Sequence, residues 1–245
     1  KTSCLLALME YLNNEGKYKA LYVNVESAQG AREDVYRGIR AIMSATEAMV
    51  RFFWKDEKIL KDWNKILKER GEDDGLRELL SVLSMRTEQP VVLMLDEIDS
   101  LIGDTLISVL RQLRAGYTNR PEGFPQSIIL CGVRDVRDYR IHSSKEKAII
   151  TGGSAFNIKA ESLNLGDFNK REIEILYNQH TEETGQEFEH GVIDYVWELT
   201  EGQPWLTNAL GYVACFEIKQ GRDRSKKITK KLIEEAKDKI ILERY

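Results

Sequence analysis

Apolar positions fall at helical spacing through Cys4, Leu5, Leu6, Leu8, Met9 and Leu12, and the run stops at Gly16, which predicts a helix over residues 2–15. Ala20-Leu21-Tyr22-Val23-Asn24-Val25 then reads as a strand with Glu26 and Ser27 at its tip. From Arg32 to Arg86 the helical period returns in three stretches. Val35, Ile39, Ile42, Met49, Phe52 and Phe53 carry the first, Ile59, Leu60, Trp63, Ile66 and Leu67 the second, and Leu76, Leu79, Leu80 and Leu83 the third. Gly71-Glu72-Asp73-Asp74-Gly75 breaks the pattern. The apolar faces of this insertion fit helices covering a sheet, a lid, or a docking surface.

Val91-Val92-Leu93-Met94-Leu95 is a continuous apolar run ending in Asp96-Glu97, the pattern of a parallel strand buried on both faces. Such strands deliver functional side chains at their carboxyl ends. A helix over 104–115, a loop over 116–125 and a second buried strand over 127–133, ending in Arg134 and Asp135, follow. Residues 155–165 alternate as a strand, with Phe156, Ile158 and Leu163 facing inward. Beyond Gly166 only helices are predicted, over 169–185, 191–200, 205–219 and 228–242. The expected fold class is therefore α/β: a parallel sheet sandwiched by helices over residues 1–166, with a helical insertion over 32–86, and a helical lid domain over 167–245.

The 245 residues, 42% apolar and 31% charged, suit a globular chain with one sizeable core and a smaller appended unit. No apolar stretch approaches the roughly 20 residues that span a bilayer, and the N-terminus lacks a signal-peptide pattern, so no membrane partner and a cytoplasmic location are expected. Cys4, Cys131 and Cys215 are odd in number and sit in apolar sequence, which predicts reduced core thiols. The formal net charge of −4 gives no global pull toward nucleic acid. His142, His180 and His190 lack metal-site spacing, and Ser143 and Ser144 lack a nucleophile-elbow pattern. Trp54, Trp63, Trp197 and Trp205 read as core or interface residues.

The chemistry concentrates in Lys1-Thr2-Ser3, at the start of the first helix, and in Asp96-Glu97. Lysine followed by a hydroxyl at a helix N-terminus is the tail of a phosphate-binding loop, in which amides and the helix dipole favour phosphates, the lysine neutralises them and the hydroxyl ligates magnesium. Lys1 would contact the terminal phosphates, and Thr2 and Asp96 would hold the metal. Glu97, pointing the other way if the strand persists, would orient or deprotonate the attacking water. Asp99 reads as an N-cap or as a partner behind the site. Arg134 would sense the terminal phosphate, or pair instead with Asp135 or Asp138. Arg111, Arg114 and Arg120 are candidates for a finger reaching a neighbouring subunit.

Lys1-Thr2-Ser3, the strand with Asp96-Glu97, the strand ending in Arg134, Leu163-Asn164-Leu165-Gly166-Asp167-Phe168 and Gly202-Gln203-Pro204 together resemble AAA-like P-loop ATPases, especially the STAND-type branch and related bacterial ATP-binding proteins. The resemblance implies a five-stranded parallel sheet, ATP and Mg2+ as cofactors, Gln203 and Pro204 against adenine and ribose, and the terminal helices as lid. Read from the residues alone, Gly-Gln-Pro says only that a turn starts a helix. No Gly-x-x-x-x-Gly precedes Lys1 and the sequence stops at Tyr245 near a helix end, so both ends are expected to be cut. A magnesium-dependent ATPase is expected of the intact protein, with weak or absent activity in the sequence as it stands.

Three functions remain open. The leading one is an ATP-hydrolysing switch that also binds a protein partner or itself. A nucleic-acid-associated motor or loader is the second, resting on Lys219, Arg222, Arg224, Lys226, Lys227, Lys230 and Lys231, a stretch that equally fits a solvated helix start. The third is a pseudo-ATPase scaffold using the insertion as its partner surface.

Overall fold

The computed structural model describes residues 1–55, 63–133, 135, 138–151, 157 and 161–243, the side chain of Asn64 excepted. The chain divides into two compact units, Lys1–Leu163 and Asn164–Tyr245.

The first unit is mixed α/β. Helix α1 (Thr2–Glu15) ends at Gly16, whose φ of 77° is the left-handed stop that the sequence predicts. Strand β1 (Lys19–Asn24) leads through a short 3-10 turn into α2 (Val35–Met49), opened by the Asp34 carboxylate accepting the Arg37 amide. A π turn at Val50–Trp54 follows, then α3 (Trp63–Arg70) and α4 (Gly75–Met85). Strand β2 (Val91–Asp96), α5 (Gly103–Ala115), β3 (Ser127–Leu130) and a hairpin of β4 (Arg140–Ser143) and β5 (Ala148–Thr151) complete it.

The parallel sheet runs β1-β2-β3, with Asn24 opposite Asp96 at the carboxyl tips. Alternation sorts the central strands onto two faces. Leu21, Val23, Leu93 and Leu95 meet α2, α4 and α5 through Ile39, Ile42, Leu79, Leu80, Leu83 and Leu110. Ala20, Tyr22, Val92 and Met94 meet Leu5 and Met9 of α1. Each fully buried Leu or Ile in these layers contributes roughly 1.5–3 kcal/mol. The insertion therefore spends the apolar faces of α2 and α4 on the sheet.

Among the described residues the parallel sheet has three strands where five were expected. The hairpin is unannounced in the sequence; it is held to the first turn of α5 by buried Asp104, which accepts Ser143 Oγ at 2.5 Å and the Lys145 amide at 3.0 Å. Of the strand expected over 155–165, Phe156 and Ile158 lie outside the described residues. Glu161–Leu165 form no strand, and Leu163 is 82% exposed. Cys4 is exposed, because only Leu5 and Met9 of α1 turn fully to the sheet, while Cys131 is half-buried and Cys215 buried.

The second unit contains α6 (Lys170–Thr184), α7 (Val192–Thr200), α8 (Pro204–Tyr212), which runs into a π turn at Val213–Glu217, and α9 (Lys230–Leu242). A capping box joins Asn169 to Glu172 at the start of α6. Ile173, Tyr177, Val192, Val196, Leu210, Ala214 and Ile233 form its core. Trp205 is half exposed, unlike Trp54 and Trp63 in the first unit's core.

Candidate functional site

Asp96 is 1% exposed at the tip of the central strand. A carboxylate this buried needs partners. Its Oδ2 accepts the Thr2 hydroxyl at 2.6 Å and the Tyr22 hydroxyl at 2.9 Å, and its Oδ1 accepts the Glu97 amide at 3.0 Å. Burial pushes the Asp96 carboxyl up, but hydrogen bonds from Thr2, Tyr22, the Cys131 thiol and the Glu97 amide outweigh it and hold the group below its ordinary value. Asp96 is therefore an anion held by donors from α1, from β1 and from the turn that follows β2.

Lys1 donates from Nζ to the Gly132 carbonyl at 2.8 Å, across the tip of β3. Lys1 is the N-cap of α1 and makes no side-chain cap bond. Ser3 is exposed in the same turn. Lys1, Thr2 and Asp96 thus converge, although 94 positions separate Thr2 from Asp96.

Glu97 differs from the expected strand residue. The strand ends at Asp96, and Glu97 takes φ 58°, a left-handed conformation that costs a non-glycine residue roughly 1–2 kcal/mol. That turn, not strand alternation, separates the two acids and leaves Glu97 exposed. Partial burial, then the charges of Asp96, Asp99 and Glu26, raise its carboxyl above the ordinary value, with Lys1 opposing. Asp99 is inside the following turn and is not an N-cap; its Oδ1 accepts the Val133 amide at 3.2 Å and so ties the tip of β2 to that of β3.

Arg134 lies outside the described residues. Gln203 and Pro204 belong to the second unit, where Gln203 caps α8 by accepting the Leu206 amide at 2.6 Å and Pro204 takes the first helical position. Gly202 is dictated by its surroundings: at φ 83°, a Cβ there would fall 1.8 Å from the Phe168 carbonyl oxygen. Arg111 pairs with Glu146 of the hairpin turn, and Arg120 lies over the Tyr117 ring. In the basic stretch Arg222 caps the carbonyls of Phe216 and Glu217, while Arg224 bonds the Cys215 carbonyl and lies over Phe216. Lys226 and Lys227 pair with Asp223 and Glu187.

Tyr22 and Cys131 are the tip residues that sequence reasoning missed. Tyr22 is the polar-tipped member of the β1 run, two positions before Asn24, but its aim at Asp96 depends on the pairing of β1 with β2. Beside the tips an open groove of ≈ 850 Å³ is lined by Asn24, Glu26, Ser27, Gln29, Ala41, Ser44 and Ala45. No helix among the described residues is long and apolar enough to cross a membrane.

Among solved structures, the chain is similar to domain III from the Thermotoga maritima replication initiation protein DnaA, at 17% identity over 96% of this chain and 90% of that chain, with a TM-score of 0.43. No protein-family model matches the chain, and no curated protein matches it.

Proposed function

We infer that the chain is the nucleotide-binding module of an AAA-like, STAND-type P-loop ATPase, which binds ATP with magnesium, hydrolyses it and uses the nucleotide state as a switch. The observation that carries this reading is the 2.6 Å bond from the Thr2 hydroxyl to Asp96, with Lys1 at the same tips. Magnesium takes oxygen donors and keeps several waters, and a threonine hydroxyl beside a buried, ionised carboxylate is a donor set of that kind. Thr2 and Asp96 would hold the ion, which when bound offsets phosphate charge.

Lys1, whose Nζ reaches the tip of β3, supplies a positive charge for the terminal phosphates, and the first amides of α1 supply donors. Glu97, exposed and raised above its ordinary value, is suited to orient a water and take its proton. Choice of ATP over GTP follows the sequence resemblance, as do the assignments of Gln203 and Pro204; that of Arg134 follows its place after the strand over 127–133.

The test is magnesium-dependent binding of a fluorescent ATP analogue to the full-length protein. Binding lost on Lys1→Ala supports the phosphate site. Equal binding by both proteins, or none by either, overturns it.

A further inference from the structure

Two donors share one oxygen of Asp96, and only one of them belongs to the phosphate-loop reading. Thr2 approaches from α1. Tyr22 approaches from β1, with its ring in the apolar layer of Leu5, Met9, Ala20, Val92 and Met94 and 7% of its surface exposed. A phenol in such a layer is tolerated when its hydroxyl finds a partner. Its partner is Asp96 Oδ2 at 2.9 Å.

We propose that Tyr22 is a positioning residue for the metal–nucleotide site: its hydroxyl fixes the Asp96 carboxylate in the orientation that faces Thr2. The proposal rests on the phosphate-site reading above. With Oδ2 engaged by two hydroxyls and Oδ1 by the Glu97 amide, the carboxylate has one orientation that satisfies every donor. Magnesium demands near-ideal geometry, so a carboxylate free to turn serves it poorly. Tyr22 acts on the cation through Asp96, and it has no part in the Lys1 side of the site.

Full-length Tyr22→Phe, titrated with magnesium chloride in the presence of a fluorescent ATP analogue, tests this. The expected result is a rise of about tenfold in half-saturating magnesium, the low end of what removing an orienting partner of a metal ligand costs. Nucleotide affinity without magnesium stays at the parent value. Tyr22→Met fills the layer without a hydroxyl and is expected to give the same rise. An unchanged magnesium requirement in Tyr22→Phe overturns the proposal, as does a rise confined to Tyr22→Met, which would be a packing effect. Asp96→Ala separates the two levels. If it abolishes the magnesium dependence while Tyr22→Phe leaves it intact, the Tyr22 role alone fails. If Asp96→Ala changes nothing, the phosphate-site reading fails and takes the Tyr22 role with it.

Discussion

The Glu97 amide donates to Asp96 Oδ1 at 3.0 Å, a bond between neighbours that accompanies the left-handed turn of Glu97 out of the strand. Glycine relieves that turn and alanine does not. Glu97→Gly is therefore expected to unfold at higher denaturant than Glu97→Ala, by about 1 kcal/mol, when both are followed by urea titration. Equal stabilities would mean the turn is not maintained in solution.

Glu97→Gln keeps the shape of the side chain and removes its basicity. Nucleotide binding is expected to survive while hydrolysis falls by roughly 10²- to 10⁴-fold, the usual worth of a general base. Phosphate release under saturating nucleotide, read beside an equilibrium binding curve, separates the two effects. A variant that hydrolyses like the parent would remove Glu97 from the chemistry.

Gln112, on α5 and 3% exposed, does the work of a helix cap for a different helix. Its Oε1 accepts the amides of Leu76 and Arg77 at 2.9 and 3.1 Å, and its Nε2 donates to the Glu72 carbonyl at 2.7 Å. Asp74, the nominal N-cap of α4, gives its carboxylate to Arg77 and makes no cap bond. Gln112→Ala leaves the amides and the carbonyl without these partners and is expected to cost about 2–3 kcal/mol. Chemical denaturation of the variant checks it, and a loss below about 0.5 kcal/mol would show water taking over.

The Asp74–Arg77 pair gives a pH signature of its own. Hydrogen bonds from Arg77 hold the Asp74 carboxyl below its ordinary 3.8, so the stabilisation it brings is present above pH 3.8 and disappears as pH falls through the lower folded value. Asp74 and Arg77 side chains are 36% and 25% exposed, which limits the effect to about 0.5 kcal/mol. Asp74→Asn should lower stability by that amount at neutral pH and by nothing in strong acid, as compared by urea melts at the two pH values.

Gly202→Ala puts a methyl group into the Phe168 carbonyl at a backbone φ of 83°. The expected loss is about 3 kcal/mol, with unfolding of the 164–245 unit followed through its tryptophans. A neutral substitution would mean that the Phe168 segment yields.

What the sequence reveals depends on how local the cause is. Gly16 ends α1 where predicted, because the left-handed stop is written in one residue. The burial of β2 is equally plain, since five apolar residues in a row leave no solvent face. The hairpin escapes because each four-residue strand shows the core only one large apolar side chain, Ile141 or Ile150, around a charged turn. Leu163 misleads for the converse reason: among the described residues no strand pairs with 161–165, so alternation there has nothing to bury against. For the candidate site, residue type and spacing nominate Lys1, Thr2, Asp96 and Glu97, and the fold brings Lys1, Thr2 and Asp96 together. The turn at Glu97 carries no local signal, and Tyr22 becomes visible only when the register sets Asn24 against Asp96.

Because Thr2 and Asp96 come from opposite ends of a 94-residue span, closing their bond carries the entropic cost of a long loop. Contacts of such sequence separation are slow to form. A ligand needing both residues thus binds the folded chain in preference to the unfolded one and, by mass action, stabilises it: at a hundred times its dissociation constant it adds about 2.7 kcal/mol. On the nucleotide-binding function proposed above, nucleotide supply would then set how much of the protein survives in the folded form as well as what it does.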